Sequence, residues 1–137
     1  MKGHPMISRR AVVTGLVSCA ALVALPAWAK PKSVLAMIDT DNDGTIDLAE
    51  AKKAAAARFD ALDRDHDGTL DAKELRRILS AKDIRQADPD KDGTLDKKEY
   101  EALVEKRFKA ADKDNDGTLD KKELNSSAGK ALLRLLQ

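Results

Sequence analysis

The chain is 137 residues long, which suits one domain, and its 25 basic and 24 acidic residues nearly cancel to a net charge of +1. That balance excludes the basic footprint of a nucleic-acid binder and the strongly acidic character of a charge-driven buffer protein. It also hides a segregation, because 20 of the 24 acidic residues fall in four short stretches while Lys and Arg crowd the segments between them.

Residues 1–29 read as an export signal. Lys2, Arg9 and Arg10 form a basic start, Ala11 to Leu25 is an apolar run of 15 residues, and Ala27-Trp28-Ala29 offers a small-x-small cleavage site. Such a run is too short and too rich in Ala and Gly for a membrane span. Ser8 to Val13 resembles a twin-arginine signal, so Tat and Sec export both remain open. Leu16-Val17-Ser18-Cys19 loosely matches a lipoprotein box, a reading disfavoured by the apolar stretch that would remain after Cys19. A periplasmic location follows as the expectation. Cleavage after Ala29 would leave residues 30–137, 108 in all, with no Cys, no Trp and a net charge of −2. Disulfides are then impossible, so stability has to come from a small core and from bound ions.

The acidic stretches share one spacing. The first carries Asp39, Asp41, Asp43, Gly44, Asp47 and Glu50; the second Asp63, Asp65, Asp67, Gly68, Asp71 and Glu74. The third carries Asp88, Asp90, Asp92, Gly93, Asp96 and Glu99; the fourth Asp112, Asp114, Asp116, Gly117, Asp120 and Glu123. These are positions 1, 3, 5, 6, 9 and 12 of the EF-hand loop, which surrounds a hard cation with oxygen. Carboxylates at 1, 3 and 5 point inward from a tightly curved backbone, Gly at 6 takes the turn, and Glu at 12 is long enough to chelate with both oxygens. Position 7, here Thr45, Thr69, Thr94 and Thr118, supplies a backbone carbonyl. Four complete copies within about a hundred residues are not a chance match.

Between the loops, Pro31 to Ile38 is expected to form a short entering helix. Only the twelve residues Ala51 to Leu62 separate loop one from loop two, room for a single helix of about 18 Å that must leave one loop and enter the other. From Leu75 to Ala87 two short helical pieces are expected, the second restarting at Ser80 with Asp83 as a capping pair. Tyr100 to Ala111 is again one helix, with Tyr100, Leu103, Val104 and Phe108 on its core face. Ala128 to Leu136, capped by Ser126 or Ser127, closes the chain and presents Leu132, Leu135 and Leu136. Basic pairs such as Lys97, Lys98 and Lys106, Arg107 are read as solvated helix faces. Loop starts at 39, 63, 88 and 112 repeat every 24 or 25 residues, too closely for the calmodulin arrangement, in which each loop owns two helices. Position 8 is Ile46, Leu70, Leu95 or Leu119, an apolar residue suited to a short β contact between paired loops. The fold expected is all-α: a compact helical bundle with four closely spaced loops sharing helices.

Five carboxylates per loop repel one another by several kcal/mol, roughly 4 for one pair at 4 Å and an effective dielectric of 20. A divalent ion leaves a loop at −3 and a trivalent ion at −2, so residual repulsion favours the higher charge. All-oxygen donors disfavour soft transition metals. Shared helices, Asp at position 9 of every loop, and stretches such as DGTIDLAEA, DGTLDAKEL, DGTLDKKEY and SSAGKALLRLL resemble the lanmodulin family, periplasmic lanthanide-binding proteins of methylotrophic bacteria. The resemblance covers residues 30–137 and implies trivalent lanthanide ions as cargo, metal-driven folding, and loop positions 1, 3, 5, 9 and 12 as ligands. The family places Pro at position 2, where this chain has Pro89 in loop three but Thr40, Arg64 and Lys113 elsewhere. The alternative is a periplasmic Ca²⁺ buffer or sensor. A Met-rich sensor groove is not expected, since Met37 is the one methionine beyond residue 29. No nucleophile, base and orienting group form a catalytic set, and His66, at position 4 of loop two, is expected to face solvent. The expected partners are metal ions, not nucleic acid, and the expected state is a monomer.

Overall fold

The computed structural model describes residues 33–137; the export-signal and lipoprotein readings lie outside the described residues. The chain runs α1 (Val34–Ile38), β1 (Ile46–Asp47), α2 (Leu48–Leu62), β2 (Thr69–Leu70), α3 (Ala72–Leu75) and α4 (Ala81–Ala87). It continues through β3 (Leu95–Asp96), α5 (Lys97–Ala111), β4 (Thr118–Leu119), α6 (Lys121–Asn125) and α7 (Ser127–Leu136). The expected helical architecture is present. α1 starts later than Pro31 because Ser33 caps it, its hydroxyl accepting from Ala36 N–H. The connector between loops two and three splits as anticipated, with Ser80 and Asp83 forming a capping box.

α2 and α5, each of 15 residues, are the shared helices. A rod of that length, about 22 Å, holds its two loops at opposite ends. Loops that share a helix therefore cannot meet, and pairing has to run across the bundle. β1 pairs antiparallel with β4, Ile46 opposite Leu119, and β2 with β3, Leu70 opposite Leu95. Loops one and four thus close one end and loops two and three the other, which sets α2 antiparallel to α5. The connector from Leu75 to Ala87 favours this nesting because it is broken between α3 and α4 and turns back, which keeps loops two and three at the same end.

The four position 8 side chains are wholly buried and join the two loop pairs to the core. Between them, Ala51, Ala55 and Phe59 of α2 face Tyr100, Leu103, Val104 and Phe108 of α5. The two alanines let the helices approach closely. The Phe59 and Tyr100 rings meet edge to face at 5.7 Å. α7 covers both helices with Leu132, Leu135 and Leu136, each contributing on the order of 2 kcal/mol by burial. Tyr100 Oη donates to Leu135 O at 2.7 Å, and burial pushes its phenol up to about 12. Arg107 departs from the expectation of a solvated face. Its Nη1 donates to Ala131 O at 2.8 Å and its Nη2 lies 3.6 Å from Asp83, so it ties α5 to α7 and α4.

α6 runs into α7 at Ser126, which ends one helix and caps the next, accepting from Gly129 N–H. A Cβ on Gly129 would collide with Glu123 O and come within 2.6 Å of Leu124 Cα. Glycine is required there by contact rather than by dihedral angle. No helix among the described residues is long and apolar enough to cross a membrane.

Candidate metal centres

Each loop is built by its own backbone. Gly at position 6 has φ between 87° and 90°, and position 4 is also left-handed, with Asn42, His66, Lys91 and Asn115 at 58° to 62°. The two turns curl the chain so that the Gly N–H donates to Oδ2 of the position 1 Asp, at 3.0 to 3.1 Å in all four loops. The position 5 Asp is fixed from the other side. Its Oδ1 accepts from both N–H and Oγ1 of the Thr at position 7, at 2.7 to 2.9 Å.

Carboxylate oxygens consequently converge. Asp39, Asp41 and Asp43 in loop one, and Asp63, Asp65 and Glu74 in loop two, each bring ligand atoms within 4.8 Å of one another. Asp88, Asp90 and Glu99, and Asp112, Asp114 and Glu123, do the same in loops three and four. These clusters contain positions 1 and 3 with either 5 or 12 of the expected set. Position 9 is not in them. Asp47, Asp71, Asp96 and Asp120 cap the outgoing helices, Oδ1 accepting from the N–H of the position 12 Glu, while Glu Oε2 accepts from the position 9 N–H. A ligand at this position that reaches the cation through water is compatible with that duty. Asp67, Asp92 and Asp116, outside the clusters, are the carboxylates held by Thr69, Thr94 and Thr118. His66 is exposed and belongs to no cluster, as expected.

The position 1 carboxylates are buried, at 6 to 8% exposure. Oδ1 of Asp39, Asp63 and Asp112 has no hydrogen-bond donor at all. A buried anionic oxygen without a donor is costly unless a cation meets it. Residues and chemistry therefore fit a hard ion, which the clustered carboxylates could hold.

The charges shift in a consistent way. Desolvation first, then the charge of Asp67, pushes Asp65 up. Asp41 and Asp114 are drawn down most by the N–H two residues on, yet desolvation and the neighbouring carboxylates outweigh it and leave both raised. Asp90 is raised too, with a hydrogen bond to Asp88 adding to the same opposition. The Thr45 hydroxyl holds Asp43 below the usual range, and the Thr94 N–H does so for Asp92. Desolvation raises Glu99. The position 3 carboxylate is raised in all four loops, and in loops one and three it sits beside a position 5 carboxylate that is lowered.

Three features went unread in the sequence. The DGT triplet, present in every loop, marks a Thr whose hydroxyl orients the position 5 carboxylate. The D-x-x-E ending is a helix-capping box in every loop. The position 2 N–H donates to Oε1 of the position 12 Glu, from Thr40 to Glu50, Arg64 to Glu74 at 2.9 Å and Lys113 to Glu123 at 2.8 Å. Pro89 has no N–H to give, so loop three has no such latch.

A family model described as EF hand matches residues 32–53, 55–79, 81–104 and 103–126, more than half of the chain. Lanmodulin of Methylorubrum extorquens is 56% identical over 54 residues, a stretch that spans 36% of this chain and 41% of that protein. The chain is thus lanmodulin-like over that stretch, and the match covers less than half the relative's length.

Proposed function

Because the chain belongs to the EF-hand family, we propose that it is an exported carrier or store of hard, highly charged cations, preferring trivalent lanthanide ions to Ca²⁺. The ligands in this reading are the carboxylates at positions 1, 3, 5, 9 and 12 of each loop and the carbonyls of Thr45, Thr69, Thr94 and Thr118. The observation that carries it is the set of donorless buried oxygens on Asp39, Asp63 and Asp112, each beside further carboxylates. A trivalent ion cancels more of a −5 loop than a divalent one, and the similarity to lanmodulin supports the same preference. Residues 1–29 support delivery to the periplasm. The chain acts by binding, as a monomer, and its loops perform no catalysis.

Ion binding contributes to folding in this reading, because filling the loops removes repulsion that the small core must otherwise overcome. Circular dichroism of the protein titrated with buffered La³⁺ and Ca²⁺ tests it. Helicity is expected to rise with both ions, at far lower free La³⁺. Equal midpoints would make it a calcium binder, the second reading, which positions Thr40, Arg64 and Lys113 favour by lacking the proline of loop three.

A further inference from the structure

Beside loop two lies a cleft of about 460 Å³ between the end of α2 and the segment that joins α3 to α4. Its walls carry Arg58, Arg64, Lys73, Arg76 and Arg77 against one carboxylate, Glu74. None of the five cations forms an ion pair among the described residues; the salt bridges there use Lys52, Lys97, Arg107 and Lys109. Like charges gathered without partners repel, and a protein surface normally disperses them. Arg58 adds a second observation. It is half-buried, and its Nε is shut off from water with no hydrogen-bond acceptor. A guanidinium held in this way bears a desolvation cost that a neighbouring anion offsets.

We infer that this cleft binds a small oxyanion carrying two or more negative charges, with Arg58, Arg76 and Arg77 as its principal contacts. Guanidinium groups match carboxylate and phosphate oxygens in pairs, which is why a cluster of arginines selects oxyanions over halides. The cleft volume suits a ligand of tricarboxylate or phosphate size. Arg64 joins it to the neighbouring loop: its backbone N–H holds Glu74 at 2.9 Å while its side chain lines the cleft. A cation in loop two neutralises the one carboxylate on the wall and strengthens the site's positive field. The oxyanion site itself does not rest on which cation the loops prefer.

The experiment is an amide NMR titration of the calcium-loaded protein with inorganic phosphate and, separately, with tricarballylate, a tricarboxylate that chelates calcium weakly. Saturable shifts are expected at Arg58, Arg64 and the 73–78 segment, with a dissociation constant of about 1 mM or tighter for at least one probe. Saturation by one probe alone identifies phosphate or carboxylate chemistry. Arg76→Gln with Arg77→Gln, both exposed positions that leave the core untouched, is expected to weaken binding about tenfold, and Arg58→Gln to do the same. Shifts that fail to saturate with either probe overturn the proposal. So do shifts of unchanged midpoint in the Arg76→Gln, Arg77→Gln protein, since calcium stripped by the probe would be indifferent to those residues.

Discussion

Loops one and three have the same five carboxylates at the same spacing, yet they hold them differently. In loop one, Thr40 gives Glu50 two hydrogen bonds, from N–H and from Oγ1, and so ties the start of the loop to its end. Oδ1 of Asp39 is left without a donor. In loop three, Pro89 cannot reach Glu99, and Lys91 N–H turns inward to satisfy Oδ1 of Asp88. Position 2 is no ligand, but it decides which oxygen the backbone serves. Loop one closes on its Glu and leaves its Asp for the ion, while loop three serves the Asp and leaves the Glu freer.

The comparison breaks hardest at position 12. Glu50→Gln and Glu99→Gln each replace the position 12 carboxylate, a chelating group in the function proposed above, with a neutral one, and each is expected to weaken its own site about 100-fold, so that calorimetry counts one ion fewer. Denaturant melts of chelator-treated protein should separate the two. Glu50→Gln weakens a charge-assisted latch and loses about 1 kcal/mol, whereas Glu99→Gln loses less because no position 2 donor faces it.

Exchanging position 2 is the next test. Thr40→Pro removes both bonds to Glu50 and is expected to cost about 1 to 2 kcal/mol in a urea melt without added metal. Pro89→Ala supplies loop three with the missing N–H but loosens the unfolded chain, so the net change should stay within about 0.5 kcal/mol. An unchanged midpoint for Thr40→Pro would remove the latch from the account.

Proton release sharpens the contrast at lower pH. Desolvation raises Glu99 above the ordinary 4.5, so the folded chain without a cation binds more protons than the unfolded chain in the window from 4.5 up to that raised value. Stability without cation should therefore rise as pH falls through the window, while cation affinity falls because the ion must displace the proton. Calorimetry in two buffers of different ionisation heat, at about pH 5, should show protons released on calcium binding, and fewer for Glu99→Gln.

The smallest effect belongs to position 4. Asn42 tolerates a left-handed backbone that Lys91 adopts at some cost. Lys91→Asn should raise stability by about 0.5 kcal/mol and Asn42→Lys lower it by a similar amount, read from the same melts.

The EF-hand loops were legible because their acidic spacing recurs four times, and the shared helices were legible because twelve residues between Glu50 and Asp63 leave room for nothing else. Burial at position 8 followed from its apolar side chains. Which loops pair was not legible from Ile46, Leu70, Leu95 and Leu119, since all four suit any partner; the unbroken shared helices and the broken connector between α3 and α4 decide it only once the bundle is considered in three dimensions. Arg107 escaped for a different reason. A basic residue beside Lys106 looks solvated, and only the carbonyl of Ala131, supplied by a distant helix, turns it inward. Gly129 likewise looks like a weak point in a helix, because the α6 backbone that forbids a side chain there lies across a bend.

Nested closure also orders events in time. Leu70 meets Leu95 after 25 intervening steps of chain, but Ile46 must wait for Leu119, 73 positions later. A polypeptide made from its N-terminal side completes the inner clasp first and keeps the loop before Ile46 unpaired until Leu119 has been made. Stalled chains of increasing length should accordingly protect amides around Leu70 and Leu95 well before those around Ile46.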